Sequence, residues 1–192
     1  MSEFGDKEYR AKLLMQIREA YGRVVYTYTC YLKMMNRLQC KNNRARVVQI
    51  ILSAITTAGL LGVIIVNQKW LATTSGIFSA MLLGVNLYMK DFRLAEDSNQ
   101  YRLASDKLWM IREDYVSLLT DFKILSVEEI AKRRNDLQRK VYDIYSTYPK
   151  TDKKSYKDAQ IALKSEEEQF FTEEELNKIL PQQIRTEDDN KQ

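Results

Sequence analysis

The 192-residue sequence contains no histidine, only two prolines and only two cysteines. Without imidazole it lacks the usual general base near neutral pH, the Ser/His and Cys/His nucleophile pairs and the commonest zinc ligand. The first proline is Pro149, so no proline interrupts a helix before that position. Cys30 and Cys40 are separated by about 15 Å along a helix axis, which is too far for a disulfide.

Motifs that would indicate an enzyme are also missing. The sequence has no GxGxxG, GxxxxGK[ST], HExxH or GxSxG pattern. Its carboxylates lie in mixed-charge helical patterns, not among apolar residues that would raise a carboxyl pKa. We therefore expect a protein that is not an enzyme, with no catalytic residues, no bound cofactor and no metal ion.

Charge is absent from one long stretch, because Lys69 is the only charged residue in 47–89. The uncharged runs 47–66 and 70–89 are each long enough to cross the ~30 Å hydrocarbon core of a membrane as a helix. A link of three residues, 67–69, makes them an antiparallel hairpin with both ends on one side. The alternative is a soluble bundle that buries the hairpin, although soluble core helices seldom run this far without a polar face.

The basic residues indicate which side of the membrane holds the tails. They are numerous just before the first run and just after the second, whereas the turn has only Lys69. The positive-inside rule then places both termini in the cytoplasm. The basic residues expected to contact lipid headgroups are Lys41, Arg44, Arg46, Lys90 and Arg93. Direct nucleic-acid binding is disfavoured, because the basic residues are spread along a helix without a recognised binding fold.

Small residues recur every four positions in both spans, at matching distances from Lys69. Such spacing lets helix backbones approach closely, so it predicts the seam of the hairpin. The predicted seam residues are Ala54, Ala58 and Gly62 in the first span and Gly76, Ala80 and Gly84 in the second.

Polar residues lie on other faces of the same spans. Polar groups in membrane spans tend to face protein or water, which predicts subunit contacts or the lining of a pore. The alternative is that Ser and Thr bond the carbonyls of their own helix, with no functional role. The candidate pore-lining or subunit-contact residues are Gln49, Ser53, Thr56, Thr57, Ser75, Ser79 and Asn86.

The charged tails carry helical patterns. Apolar residues alternate at spacings of three and four from Leu14 to Leu38 and again from Tyr101 to Phe122, which predicts two heptad helices packed as an antiparallel stalk. The fold class is thus an all-α membrane protein with a two-helix hairpin, a cytoplasmic stalk and C-terminal helices. The predicted segments are a heptad helix at 6–46, spans at 47–66 and 70–89, a second heptad helix at 90–123, a third helix at 126–148, a loop with short helices at 149–181 and a disordered tail at 182–192.

This layout resembles the SLATT domains, the two-transmembrane effectors that accompany SMODS nucleotidyltransferases and SLOG sensors in bacterial conflict systems. The similarity covers roughly residues 6–165 and includes the basic cluster NNRARVV, the minimal loop, the helix NLYMKDFRLAEDSNQYRLASDKLW and the Tyr-Pro break in IYSTYPKTDKKSY. The resemblance implies a homo-oligomer in the bacterial inner membrane that opens a pore and arrests or kills the cell on phage infection. It also implies activation by a co-encoded sensor, nucleotidyltransferase or reverse transcriptase, and supplies no catalytic residues.

Two functional hypotheses remain open at this stage. The first is a pore-forming effector, motivated by the polar residues of the spans and by the resemblance. The second is a membrane-anchored scaffold that recruits a defence enzyme through its cytoplasmic helices without conducting ions.

Overall fold

A computed structural model describes residues 3–66, 69–181 and 185. Within these residues the regular structure is entirely helical, which confirms the expected all-α fold class. The six α-helices are α1 (Glu3–Val66), α2 (Lys69–Phe92), α3 (Leu94–Thr120), α4 (Val127–Thr147), α5 (Lys153–Lys164) and α6 (Glu173–Ile179), with a 3₁₀ turn at Asp121–Lys123. The turn residues Asn67 and Gln68 lie outside the described part, as does the 182–192 tail apart from Arg185.

Helix α1 is continuous over 64 residues, so the heptad helix expected at 6–46 and the span at 47–66 are one element. At 1.5 Å per residue it is about 96 Å long, which is several times the thickness of the hydrocarbon core. Helices α2 and α3 return antiparallel to it, and α1 contacts both of them extensively. The membrane hairpin and the helical stalk outside it therefore share one long helix, α1, as their common side.

The return path is broken at Arg93, where we expected one helix to continue out of the second span. Arg93 adopts a left-handed conformation, with φ 37° and ψ 37°, between the end of α2 and the start of α3. If the spacing of the α2 residues that pack on α1 continued beyond Met89, it would reach Phe92 and Glu96, which are exposed. Helix α3 instead buries Leu94 and Ser98. The break supplies the rotation that this change of face requires.

The core of the helical bundle outside the spans lies where the two predicted heptad patterns meet. Every position of the α3 pattern is buried, and the α1 pattern alternates between fully and partly buried positions. Helix α4 covers α3 with Ile130, Leu137 and Ile144, and it begins at a capping box formed by Ser126 and Glu129. Both cysteines are free, as predicted, with Cys30 buried in the bundle and Cys40 exposed.

The segment between α4 and α5 is attached to the stalk. The hydroxyls of Tyr31 and Tyr101 donate to the carbonyls of Pro149 and Lys150, at 3.1 and 3.0 Å. Asp152 caps α5 by accepting from the backbone N–H of Ser155 at 2.8 Å, and its carboxylate also pairs with Arg37. These contacts hold α5 against the part of α1 that leads into the membrane.

Candidate membrane-spanning site

The two spans project from the helical bundle with their apolar side chains uncovered. Among the described residues, the most apolar 18-residue stretch of the first span helix has no buried residue. In the corresponding stretch of the second, 6% of the residues are buried. Ile50 is 68% exposed and Ile64 is 80% exposed. The alternative of a soluble bundle that buries the hairpin was therefore wrong, and this surface requires a covering of lipid or protein.

The contact between the spans continues the heptad spacing of the stalk part of α1. From Leu14 to Val63, every position reached by alternating steps of three and four residues is buried or partly buried. Because α1 is unbroken, the face that packs in the stalk is also the face that packs in the hairpin. The positions of this face within the membrane are Gln49, Leu52, Thr56, Gly59 and Val63, and those of α2 are Leu71, Ser75, Phe78, Leu82, Val85 and Met89.

The two spans lie close together at Gly59 and Ser75. A Cβ atom placed on Gly59 would lie 2.1 Å from Oγ and 3.3 Å from Cβ of Ser75, so any larger residue there requires Ser75 to shift. Ser75 is 2% exposed. Towards the turn, a Cβ on Gly62 would lie 3.4 Å from Leu71, which is ordinary contact. A single glycine thus permits the tight part of the hairpin.

The predicted small-residue seam is not the contact that the structure shows. Gly62 is partly buried, but the other five residues are exposed: Ala54, Ala58, Gly76, Ala80 and Gly84. At roughly 100° per residue, the predicted faces lie about 140° from the observed contact on α1 and about 170° from it on α2. The spacing of small residues was real, but the heptad phase of the continuous helix decides which face packs.

The seven polar candidates divide into two groups. Gln49 and Thr56 are partly buried and Ser75 is buried, so all three lie towards the hairpin contact. The hydroxyl of Thr56 donates to the carbonyl of Leu52 in its own helix at 2.8 Å. The other four candidates, Ser53, Thr57, Ser79 and Asn86, are exposed.

The four exposed polar residues lie on one side of the hairpin. Ser53 and Thr57 are about 100° from the contact on α1, and Ser79 and Asn86 are about 80° from it on α2, in the same rotational sense. Because the two helices run in opposite directions, equal rotations from the contact lead to the same side. We call this set the polar side.

Only one member of the polar side is satisfied within its own helix. The Thr57 hydroxyl donates to the carbonyl of Ser53 at 2.9 Å. The side chains of Ser53, Ser79 and Asn86 form no hydrogen bond to any residue that the structure describes. In a hydrocarbon environment such groups are costly unless another subunit or water satisfies them.

The basic residues and the aromatic residues mark the ends of the spans. All five residues expected to contact headgroups are exposed: Lys41, Arg44, Arg46, Lys90 and Arg93. Trp70 is 61% exposed near the turn, and at the other end Tyr88 stacks on Phe92 with ring centroids 4.6 Å apart. Aromatic side chains at both ends suit the two membrane interfaces.

An apolar helical hairpin with basic residues at its open end, joined to a helical bundle outside the spans, defines the protein as a two-transmembrane helical membrane protein. Residues 13–175 match the family model described as "SMODS and SLOG-associating 2TM effector domain family 4". Because the match covers most of the chain, the protein belongs to this family, as the sequence resemblance predicted. The family description makes it an effector domain associated with SMODS and SLOG systems. No curated protein and no solved structure matches the chain.

Proposed function

We propose that this protein is a pore-forming effector of a bacterial defence system. Copies of the hairpin assemble in the inner membrane with their polar sides inward and both termini in the cytoplasm. Assembly or opening follows a signal from a co-encoded sensor, nucleotidyltransferase or reverse transcriptase. The resulting loss of the membrane potential arrests or kills the infected cell.

The observation that carries the proposal is the polar side of the hairpin. A single hairpin would expose Ser53, Ser79 and Asn86 to lipid without hydrogen-bond partners. A ring of hairpins turns these groups towards water and leaves the apolar residues to face lipid. The exposed small residues on the outer faces, such as Ala58 and Ala80, permit neighbouring hairpins to pack closely.

Dye influx and membrane potential, measured together in bacteria that express the protein with its genomic neighbours, test this proposal. We expect induction of the active system to depolarise the membrane and admit a membrane-impermeant dye. The double variant Ser79→Leu, Asn86→Leu should be produced and inserted normally but should reduce the influx at least tenfold, because it removes polar groups from the pore wall.

Met81→Leu is the matched control. Met81 is 54% exposed and lies about 70° from the hairpin contact, in the rotational sense opposite to that of Ser79 and Asn86. The substitution therefore changes an exposed residue outside the polar side. This variant should conduct like the wild type. A membrane that stays polarised in activated wild-type cells, or equal losses in the control and the double variant, would contradict the pore.

A groove on the cytoplasmic bundle favours the second candidate function, a scaffold that recruits a defence enzyme. It lies between α3 and α4, has a volume of about 340 Å³ and is lined by Met110, Ile111 and Ile144 with charged residues at its edges. Met110 is 59% exposed and the adjacent Trp109 is 44% exposed. If activated cells stay polarised while Met110→Glu abolishes protection against phage, the scaffold explains the function better.

A further inference from the structure

A polar pocket lies between α1 and α3, immediately on the cytoplasmic side of the spans. It has a volume of about 270 Å³ and is bordered by residues 35–46 of α1 and 95–102 of α3. At its base the Ser98 hydroxyl donates to the carbonyl of Met35 at 3.2 Å, which ties the two helices together. The break at Arg93 sets the direction in which α3 leaves the membrane, so it also shapes this pocket.

The pocket is basic and rich in amides. Its lining includes Arg46, Arg102, Gln39, Asn42 and Asn99, and none of the lining residues is acidic. Two guanidinium groups without a carboxylate between them create a positive potential that favours an anion.

Several of these groups have no partner within the described part of the chain. Asn42 occupies a position of the α1 heptad face and is only 9% exposed, yet its side-chain amide makes no hydrogen bond there. Arg46 forms neither a hydrogen bond nor an ion pair with a described residue, and the only partner of Arg102 is the Asn99 side-chain oxygen, at 3.1 Å. Asn42 is therefore a largely buried residue whose amide is free among the described residues, whereas Arg46 and Arg102 are exposed and keep guanidinium donors available for a polar ligand.

The position of the pocket relative to the membrane determines from where a ligand can enter it. Arg46 immediately precedes the first span, and Gln39 lies seven residues earlier, about 10 Å deeper into the cytoplasm. The polar headgroup region on each side of a membrane is about 5–7 Å thick. The pocket therefore extends from the headgroup level into the aqueous phase and is accessible from both.

We propose that this pocket binds a phosphate ester through Arg46 and Arg102, with Asn42 donating from its base. The forked guanidinium group matches the oxygens of a phosphate and can donate two parallel hydrogen bonds. The ester can come from the headgroup of an anionic phospholipid or from a soluble cytoplasmic metabolite. Binding would bridge α1 and α3 where they leave the membrane, whether or not the spans conduct ions.

Calorimetric titration of the full-length protein in neutral detergent tests the site with three probes: short-chain phosphatidylglycerol, short-chain phosphatidylcholine and glycerol phosphate. We expect phosphatidylglycerol to bind at least tenfold more tightly than phosphatidylcholine, because two arginines repel the choline cation. Glycerol phosphate binding more than tenfold more weakly than phosphatidylglycerol would identify the lipid as the source, and equal affinities would identify a soluble ester; both results support the pocket. No preference for an anionic probe would overturn it.

Variants separate the pocket from the general basic surface. Arg46→Gln and Arg102→Gln should each weaken binding about tenfold, the effect expected for a charge-assisted hydrogen bond. Arg44→Gln removes the same charge from an exposed residue outside the pocket lining and should change the affinity less than threefold. Arg102→Lys keeps the charge but not the fork, and should give an intermediate affinity in a protein whose helical circular dichroism is unchanged. Equal effects of Arg44→Gln and Arg102→Gln would overturn the site.

Discussion

The phenol rings of Tyr31 and Tyr101 lie 5.7 Å apart, on α1 and α3, and their hydroxyls donate to the neighbouring carbonyls of Pro149 and Lys150. Both tyrosines are positions of the predicted heptad patterns, where they fill the core with their rings. Their hydroxyls additionally attach the segment between α4 and α5 to the stalk. The stalk therefore holds α5 at a defined place on α1.

The two hydroxyls should each stabilise the attachment of α5 by about 1 kcal/mol, because each provides one partly buried hydrogen bond. Tyr31→Phe and Tyr101→Phe keep the rings and remove only these bonds. We expect faster hydrogen exchange in 153–164 in both variants, with little change in the centre of α3. Tyr21→Phe is the control, since its hydroxyl has no hydrogen-bond partner among the described residues. Unchanged exchange in 153–164 in the double variant would exclude this role.

Gly59 should be essential for the packing of the hairpin. Gly59→Ala places a methyl group against Ser75 and should destabilise the hairpin by about 1–3 kcal/mol, the usual cost of overpacking. Gly76→Ala is the matched control, because a Cβ there meets nothing within 4 Å. Unfolding of the purified protein in a denaturing detergent series measures both.

Ser75→Ala should rescue Gly59→Ala, because it removes the Oγ atom that the new methyl group would meet at 2.1 Å. The remaining Cβ, at 3.3 Å, requires only a shift of a few tenths of an ångström. If Gly76→Ala destabilises the protein as much as Gly59→Ala, the spans pack through the small-residue face and not through Gly59 and Ser75.

Attachment of α5 should weaken at acidic pH through Asp152. The Arg37 guanidinium and the N–H of Ser155 hold the pKa of this carboxyl well below its ordinary value of 3.8. A carboxyl whose pKa is lower in the folded state stabilises that state fully above about pH 4 and progressively less as the pH falls further. Hydrogen exchange of α5 between pH 2.5 and 6 measures the effect.

Asp152→Asn should remove most of this pH dependence while keeping a good cap for α5, because asparagine also favours the N-cap position. Asp136→Asn is the control, since among the described residues the Asp136 carboxylate pairs only with Arg139 of its own helix, at 3.7 Å. An unaltered pH dependence in Asp152→Asn would assign the effect to other carboxylates.

The two cysteines should differ sharply in reactivity. Cys30 is 3% exposed, and burial raises the pKa of its thiol to about 11. It should therefore present about a hundredfold less thiolate near neutral pH than an ordinary thiol, in addition to being inaccessible. Cys40 is exposed. Labelling with a maleimide-linked polymer should add one tag to the native protein and two after denaturation, and Cys40→Ser should leave the native protein unlabelled.

The sequence predicted the hairpin and the stalk well because their signals are strong. A run of twenty residues without charge has few structures open to it apart from a membrane span. The alternation of three and four residues likewise identified the buried face of α3 at every position from Tyr101 to Phe122. The hairpin contact could also have been predicted from the sequence. The α1 pattern, which we ended at Leu38, continues with the same spacing to Val63. Asn42, Gln49 and Thr56 occupy three of its positions in place of apolar residues.

The sequence by itself determined which segments enter the membrane and which helix faces form the core of the stalk, because burial of apolar surface dictates both. Tertiary structure alone decided which face of each span packs, since small residues and heptad positions offered two compatible faces. The rigidity of the unbroken α1 helix selects the heptad face, which turns Ala58 and Ala80 outward and places Gly59 against Ser75. The tertiary structure also brought Arg46 and Arg102 to one pocket, because the left-handed turn at Arg93 changes the face of α3 that packs on α1.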